Sequence, residues 1–196
     1  MGNIAIILLA AGSSVRFGDV KQLAKHDGKS LIRHALSEAK EVSKDVMAVL
    51  GANFEIVKAE IENEGVPFVY NKDWEEGISS SIHCGLSSFL KNNIVPEAVI
   101  LMVCDQPFVT SSLLKELIAE YEKKKKLIIA SAYKNTIGTP VLFDRSFFQA
   151  LQALKGQTGA KKVISDNIRS VSTVSFPLGY IDIDTKDDYE SLQKIN

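Results

Sequence analysis

The chain has 196 residues, 45% of them hydrophobic and 24% charged, with a formal net charge of −1 at pH 7. These values predict one soluble globular domain over residues 1–196 with a sizeable core, and they exclude a broadly basic surface that would coat nucleic acid. The 2 cysteines, Cys84 and Cys104, lie in apolar surroundings without metal-ligand spacing, which argues against a disulfide framework and for a reducing cytoplasm.

The apolar run from Ile4 to Leu9 is short and β-branched, and it reads as a buried parallel strand. It has no basic leader and is too short to span a membrane, so no membrane association is expected. The loop that follows carries Gly12, Ser13, Ser14, Arg16, Gly18 and Lys21. Glycines allow main-chain N–H groups to approach a ligand closely, and two cations stand beside them, a combination suited to a polyphosphate. A solvated turn with two cations is the plain alternative.

Ser30 is placed to cap a helix over Leu31 to Val42, and Asp45 to Leu50 reads as the next strand. A helix carrying Phe54, Val57 and Ile61 is expected up to about Glu64, then a strand over Phe68 to Tyr70. Ser79, Ser80 and Ser81 open a helix whose apolar face holds Ile82, Leu86 and Phe89, so three hydroxyls gather at a positive helix end. Ala98 to Cys104 is the most hydrophobic stretch and reads as a central strand closed by Asp105-Gln106-Pro107.

Thr110 is expected to cap a helix over Leu113 to Tyr121, with Lys123 to Lys126 solvated at its C-terminal end. Strands are expected over Leu127 to Ala132 and Pro140 to Phe143, and helices around Phe147 to Leu154 and Gly159 to Ser165, opened by Asp144 and Thr158. Ile181 to Asp184 is strand-like, and the final helix, Thr185 to Ile195, starts close to a capping box with Asp188. Alternating strands and helices imply an α/β fold with a mostly parallel sheet covered on both faces. Ligands of such sheets bind outside the carboxyl ends of the strands, where the first loop, Asp105 and the serines all fall.

Two familiar phosphate motifs are excluded by spacing. Gly28-Lys29-Ser30 ends like a P-loop, but Leu23 stands where its first glycine belongs, and no GxGxxG occurs. A carboxylate closing the most apolar strand is costly unless it is solvated, caps the next turn or binds a cation, so Asp105 is either a turn residue or a magnesium ligand. Period-two alternation puts Asp182 and Asp184 on one face, where either could complete that site, although Asp184 could equally cap the last helix. These parts suit nucleotidyl transfer, in which positioning and charge neutralisation supply most of the catalysis. An ionised phosphate acceptor needs no general base, and His26, His34 and His83 read as structural or solvated.

The segments LLAAGSSVRFGDVKQL (8–23), NKDWEEGISSS (71–81), VCDQP (103–107), GTPVLF (138–143), KGQTGAKKVI (155–164) and DIDTKDDY (182–189) resemble, in order, those of the MobA-like nucleotidyltransferases, in particular the molybdenum cofactor cytidylyltransferase type. The resemblance implies a three-layer Rossmann-like domain that uses Mg²⁺ and a nucleoside triphosphate to transfer a nucleotide to a phosphorylated, pterin-type acceptor, releasing pyrophosphate. It implies Ala10, Ala11, Gly12, Ser13 and Ser14 along the nucleotide, with Arg16 and Lys21 on its phosphates. It also gives Asp105 the metal, aided by Asp182 or Asp184, and makes Ser79 to Ser81 part of the nucleotide or acceptor wall. Gly138, Thr139, Pro140, Gly156, Thr158, Gly159 and Lys161 would face the acceptor. A transient contact with a molybdoenzyme or its chaperone follows from the same resemblance.

Guanylyl-transferring relatives usually open with LAGG, so Ala11 and Lys21-Gln22-Leu23 align with the cytidylyl branch. Where relatives often have GHP and GDxGAR, this chain has Gly138-Thr139-Pro140 and Gly156 to Lys161, which removes donors and a bidentate fork from the acceptor side. A sugar phosphate or another phosphorylated alcohol is therefore an alternative acceptor, GTP an alternative donor, and a nucleotide-binding module without turnover a reading from a different class.

Overall fold

The structure is a computed structural model that describes residues 3–92 and 94–194. Strand β1 is Ile4–Ala10, and every residue of it is buried, as its unbroken apolar run requires. After the first loop, a 3-10 turn at Lys21–Leu23 and a small hairpin of β2 (Lys25–His26) with β3 (Lys29–Ser30) lead into helix α1, Leu31–Lys40. Ser30 caps that helix by accepting from the Arg33 N–H.

The chain continues through β4 (Val46–Leu50), α2 (Phe54–Ile61), β5 (Phe68–Tyr70), a 3-10 turn at Trp74–Glu76 and α3 (Ile78–Lys91). Next come β6 (Ala98–Val103), α4 (Ser111–Glu122), β7 (Ile128–Tyr133) and β8 (Thr136–Asp144). Short helices α5 (Phe148–Gln152) and α6 (Ala160–Asp166), strand β9 (Val171–Ser175) and helix α7 (Lys186–Gln193) follow. Thr110 and Thr185 cap α4 and α7, and Thr185 forms a full capping box with Asp188.

The main sheet has 7 strands in the order β5-β4-β1-β6-β8-β7-β9. β1 pairs in parallel with β4 and β6, and β4 with β5, so the carboxyl ends of the central strands share one edge. β8 runs antiparallel between β6 and β7, while β9 rejoins β7 in parallel. The sheet is thus mostly parallel, with helices on both faces.

The pleat divides the core. Ile4, Ile6 and Leu8 of β1 face a cluster with α1, α2 and α4, while Ala5, Ile7 and Leu9 face one with α3, α5 and α6. Truncating a fully buried residue such as Leu8 to alanine is worth about 2–5 kcal/mol.

Several boundaries differ from expectation. The strand expected over Pro140 to Phe143 begins at Thr136, because Tyr133 to Thr136 closes a hairpin with β7. Residues 181–184 form no strand; the side chain of Ile183 is fully buried, and its N–H donates to the Asp105 carbonyl at 2.9 Å. The first and second helices stop short of Val42 and Glu64, and Thr158 does not cap α6, whose N-cap is Gly159 without a side-chain bond. Ile195 lies outside the described residues.

Candidate active site

β1 delivers the chain to the carboxyl edge of the sheet at Ala10, and the loop turns immediately. Ser14 adopts a left-handed φ of 59°, and its carbonyl accepts from the N–H groups of Phe17 and Gly18 at 3.0 and 3.1 Å. Just past the end of β4, Gly51 packs so closely on the loop that a Cβ there would lie 2.5 Å from the Ala11 carbonyl oxygen. Gln22, only 1% exposed, donates from Nε2 to the carbonyls of Ala10 (3.1 Å) and Gly12 (2.9 Å) and accepts from Ser14 Oγ at 3.0 Å.

The 3-10 turn that seats Gln22 also aims Lys21 at the centre of the edge. Its ammonium donates to Asp105 Oδ2 at 2.7 Å and to Asp184 Oδ1 at 3.0 Å. Arg16, itself largely exposed, reaches Asp184 Oδ2 at 2.8 Å. Burial favours the neutral amine of Lys21, but the charge and hydrogen bond of Asp105, with that of Asp184, outweigh it and raise the pKa.

Asp182 is raised above the usual carboxylate range, by burial first and then by the charges of Asp184 and Asp105. The neighbouring Cys104 thiol is pushed up to about 12 by burial and by Asp105, so it stays a neutral wall residue. Among the described residues no group of three or more His, Cys, Asp or Glu is gathered to hold a metal ion by itself. Asp105 and Asp184 are instead shared by the Lys21 ammonium.

A cavity of about 310 Å³ opens beside this cluster, lined by Ala10, Ala11, Gly12, Ser13, Lys21, Ser81 and Asp105 together with Gln22, Trp74, Glu75 and Gln157. A second cavity of about 350 Å³ adjoins it through the shared residues Leu9, Ile78, Val103 and Gln157. Its walls are mostly aliphatic, and it takes in Gly138, Thr139, Gly159 and Lys161. Sequence candidates from distant segments therefore meet in two adjoining chambers.

Other candidates stand outside the chamber walls. Ser14 and Arg16 belong to the first loop, Asp184 meets it through Arg16 and Lys21, and Asp182 lines neither chamber. Ser79 Oγ donates to the Gly156 carbonyl at 2.9 Å and Ser80 Oγ to that of Gly77 at 2.8 Å, while Asn71 Nδ2 donates to Ser80 and Ser81. The Ser79 bond seats the start of α3 on the 156–157 turn. Gly77, with a φ of 108°, permits the approach, since a Cβ there would sit 2.4 Å from the Gly156 oxygen. Pro140 is buried, its carbonyl accepting from Ser131 Oγ at 2.7 Å, and Thr158 is exposed.

Sequence reasoning missed Gln22, Trp74, Glu75 and Gln106 as parts of the site. Gln106 accepts from Thr139 Oγ1 at 3.1 Å and donates to the Gly179 carbonyl at 2.9 Å, tying the second chamber to the segment that bears Asp182 and Asp184. Its place next to Asp105 was the available signal.

Comparison with known proteins agrees with this architecture. Residues 6–172 match the family described as the MobA-like NTP transferase domain. Nicotine blue oxidoreductase of Paenarthrobacter nicotinovorans is 30% identical over 151 residues, 75% of this chain and 70% of that protein. A probable molybdenum cofactor guanylyltransferase of Bacillus cereus (strain G9842) is 24% identical over 99% of this chain and 98% of its own length. The crystal structure of Rv0371c from Mycobacterium tuberculosis H37Rv superposes with a TM-score of 0.84 at 27% identity, covering 98% of each chain. The same protein in complex with manganese superposes with a TM-score of 0.80 at 25% identity, again over 98% of each. The chain belongs to the MobA-like NTP transferase family.

Proposed function

We propose that residues 1–196 form a single cytoplasmic nucleotidyltransferase domain that transfers CMP from CTP to the terminal phosphate of a molybdopterin-type acceptor and releases pyrophosphate. The observation that carries this reading is the meeting of Lys21 with Asp105 and Asp184 beside a chamber walled by Ala10 to Ser13. The first chamber would hold the nucleoside triphosphate. Its loop N–H groups, with Lys21 and Arg16, would take the phosphate charge. The second chamber would hold the acceptor, with Lys161 as its cation.

The reaction needs an oxygen of the acceptor phosphate to attack the α-phosphorus in line, forming one P–O bond as the bond to the β-phosphate bridging oxygen breaks. No proton need leave the nucleophile, so a histidine base is not required. Lys21 would hold the departing pyrophosphate and neutralise its growing charge, which is where a fixed ammonium in a partly dry site is most effective.

The donor set fits a hard divalent cation. Asp105, Asp182 and Asp184 offer only oxygen, and magnesium takes one or two carboxylates together with substrate phosphates. When bound, Mg²⁺ would neutralise phosphate charge and polarise the reacting phosphoryl group. Asp105 and Asp184 would hold it, and Lys21 would exchange its carboxylates for phosphate oxygens as the nucleotide enters. A molybdoenzyme or its chaperone would receive the product in a transient contact.

Ala11, which stands where guanylyl-transferring relatives usually have a glycine, favours CTP, while the guanylyltransferase relative makes GTP the competing donor. Pyrophosphate release measured with each nucleoside triphosphate, with and without a phosphorylated pterin, tests both points. Acceptor-dependent release with CTP, abolished in Asp105→Ala, is expected. A strong preference for GTP would overturn the donor assignment, and equal release by Asp105→Ala would overturn the metal site.

A further inference from the structure

Resting on the reading of the first chamber as the triphosphate site, we infer that Gln22 is a positioning residue that sets the shape of the phosphate loop and so determines how tightly the nucleotide is held. Its amide has three polar partners within one loop: both N–H bonds are donated to carbonyls two residues apart, and its oxygen accepts from Ser14. At 1% exposure the group has no water to fall back on, so this pattern is also the one that satisfies it.

The consequence runs through peptide geometry. In a planar trans peptide the N–H points opposite to the C=O, so fixing the Gly12 carbonyl fixes the direction of the Ser13 N–H. Ser13 belongs to the chamber wall. The Ser14 hydroxyl bond holds the left-handed residue at which the loop reverses. Gln22 is adjacent to Lys21 on a single 3-10 turn, so the element that clasps the loop also carries the ammonium. Loop shape and lysine position are thereby set together.

The chemistry specifies glutamine rather than a residue of that size. A glutamate of the same shape would bring a carboxylate against two carbonyl oxygens, and a methionine would fill the space without donors. Both remove the two N–H donors that hold the Ala10 and Gly12 carbonyls.

The test measures binding of CTP and GTP by calorimetry, with and without MgCl2, to wild type, Gln22→Glu, Gln22→Met and Ser14→Ala, beside thermal denaturation of each. In both Gln22 variants the Kd for the preferred nucleotide is expected to rise at least tenfold with and without magnesium, and KM for the nucleotide to rise with it. The KM for the acceptor should stay within about twofold. Ser14→Ala, which removes one bond and leaves the amide donors, should fall between wild type and these variants. Unchanged Kd per folded molecule in the Gln22 variants would overturn the inference while leaving the nucleotide site standing, and so would unfolding of both together with wild-type affinity in Ser14→Ala. A wild type that binds no nucleoside triphosphate would instead overturn the reading of the chamber, and the inference with it.

Discussion

Lys21 and Asp105 stand 84 positions apart in the chain, yet the Lys21 ammonium lies 2.7 Å from Asp105 Oδ2 and bridges onward to Asp184. Two carboxylates carried by different segments thus converge on one cation. Lys21→Met removes that cation and leaves Asp105 and Asp184 facing each other without it. Turnover is expected to fall about 10²–10³-fold, the usual effect of losing a charge-stabilising donor at a reacting phosphoryl group. The ligand-free protein should also lose stability, and Asp105→Asn in the same background should restore part of the stability but none of the activity. Pyrophosphate release and urea denaturation of the single and double variants check both statements.

Arg16 makes the contrasting case. Its side chain is 73% exposed, and an ion pair at such a site is worth about 0–1 kcal/mol to stability. Arg16→Ala is therefore expected to melt within about 1 kcal/mol of wild type. Its effect should fall on the nucleotide, as a raised KM for the triphosphate whose dependence on salt is weaker than in wild type. An unchanged KM across a salt series would remove Arg16 from the phosphate site.

The end of β8 is tied to α4 by Tyr121, whose hydroxyl donates to Asp144 Oδ2 at 2.5 Å, while Ser146 donates to Oδ1 of the same carboxylate. Burial raises the Asp144 pKa, but the Tyr121 and Ser146 hydrogen bonds outweigh it and hold the value below the ordinary range. A depressed carboxylate pKa contributes stability that is present above the unfolded value of about 3.9 and is lost as pH falls through the folded one. Tyr121→Phe should cost about 1.5–3 kcal/mol at pH 7, as expected for a hydrogen bond to a charged group. The gap from wild type should narrow below about pH 4. Denaturant midpoints from pH 3 to 7 measure it.

Much of the architecture was legible because burial writes itself into patterns. The runs at Ile4 to Leu9 and Ala98 to Cys104 could only be central strands, and Ser30, Thr110 and Thr185 announced their helices by the chemistry of capping. The place of Lys21, Asp105 and the first loop at one edge followed from parallel topology. The antiparallel β8 did not, since its alternation is that of any strand and direction is decided by the hairpin at Tyr133 to Thr136. Residues 181–184 alternate like a strand, but only Ile183 is secured by a sheet-edge hydrogen bond, and the aspartates flank it in irregular chain. Gln22 was illegible for a different reason. A buried amide is identified by partners distant in the chain, which no local spacing records.

The second chamber yields the sharpest separation of roles, because Lys161 lines it and is absent from the walls of the first. Its other walls are largely aliphatic, with Leu9, Ile82, Val141 and Ile164 among them, so a single cation would have to meet the charge of the acceptor phosphate. Lys161→Met keeps the aliphatic stem and removes the ammonium. The KM for the phosphorylated acceptor is expected to rise by about tenfold or more, the loss of one charge-assisted contact of about 1.5–3 kcal/mol. Nucleotide affinity measured in the absence of acceptor should match wild type. Lys161→Arg, which keeps the charge and adds a planar fork, should recover much of the affinity for phosphate while tolerating bulky acceptors less well. Steady-state kinetics with the acceptor varied at saturating nucleotide, alongside calorimetry with nucleotide alone, distinguish this outcome from a general loss of the site. A rise in the nucleotide Kd equal to the rise in acceptor KM would mean that the two chambers hold one ligand between them.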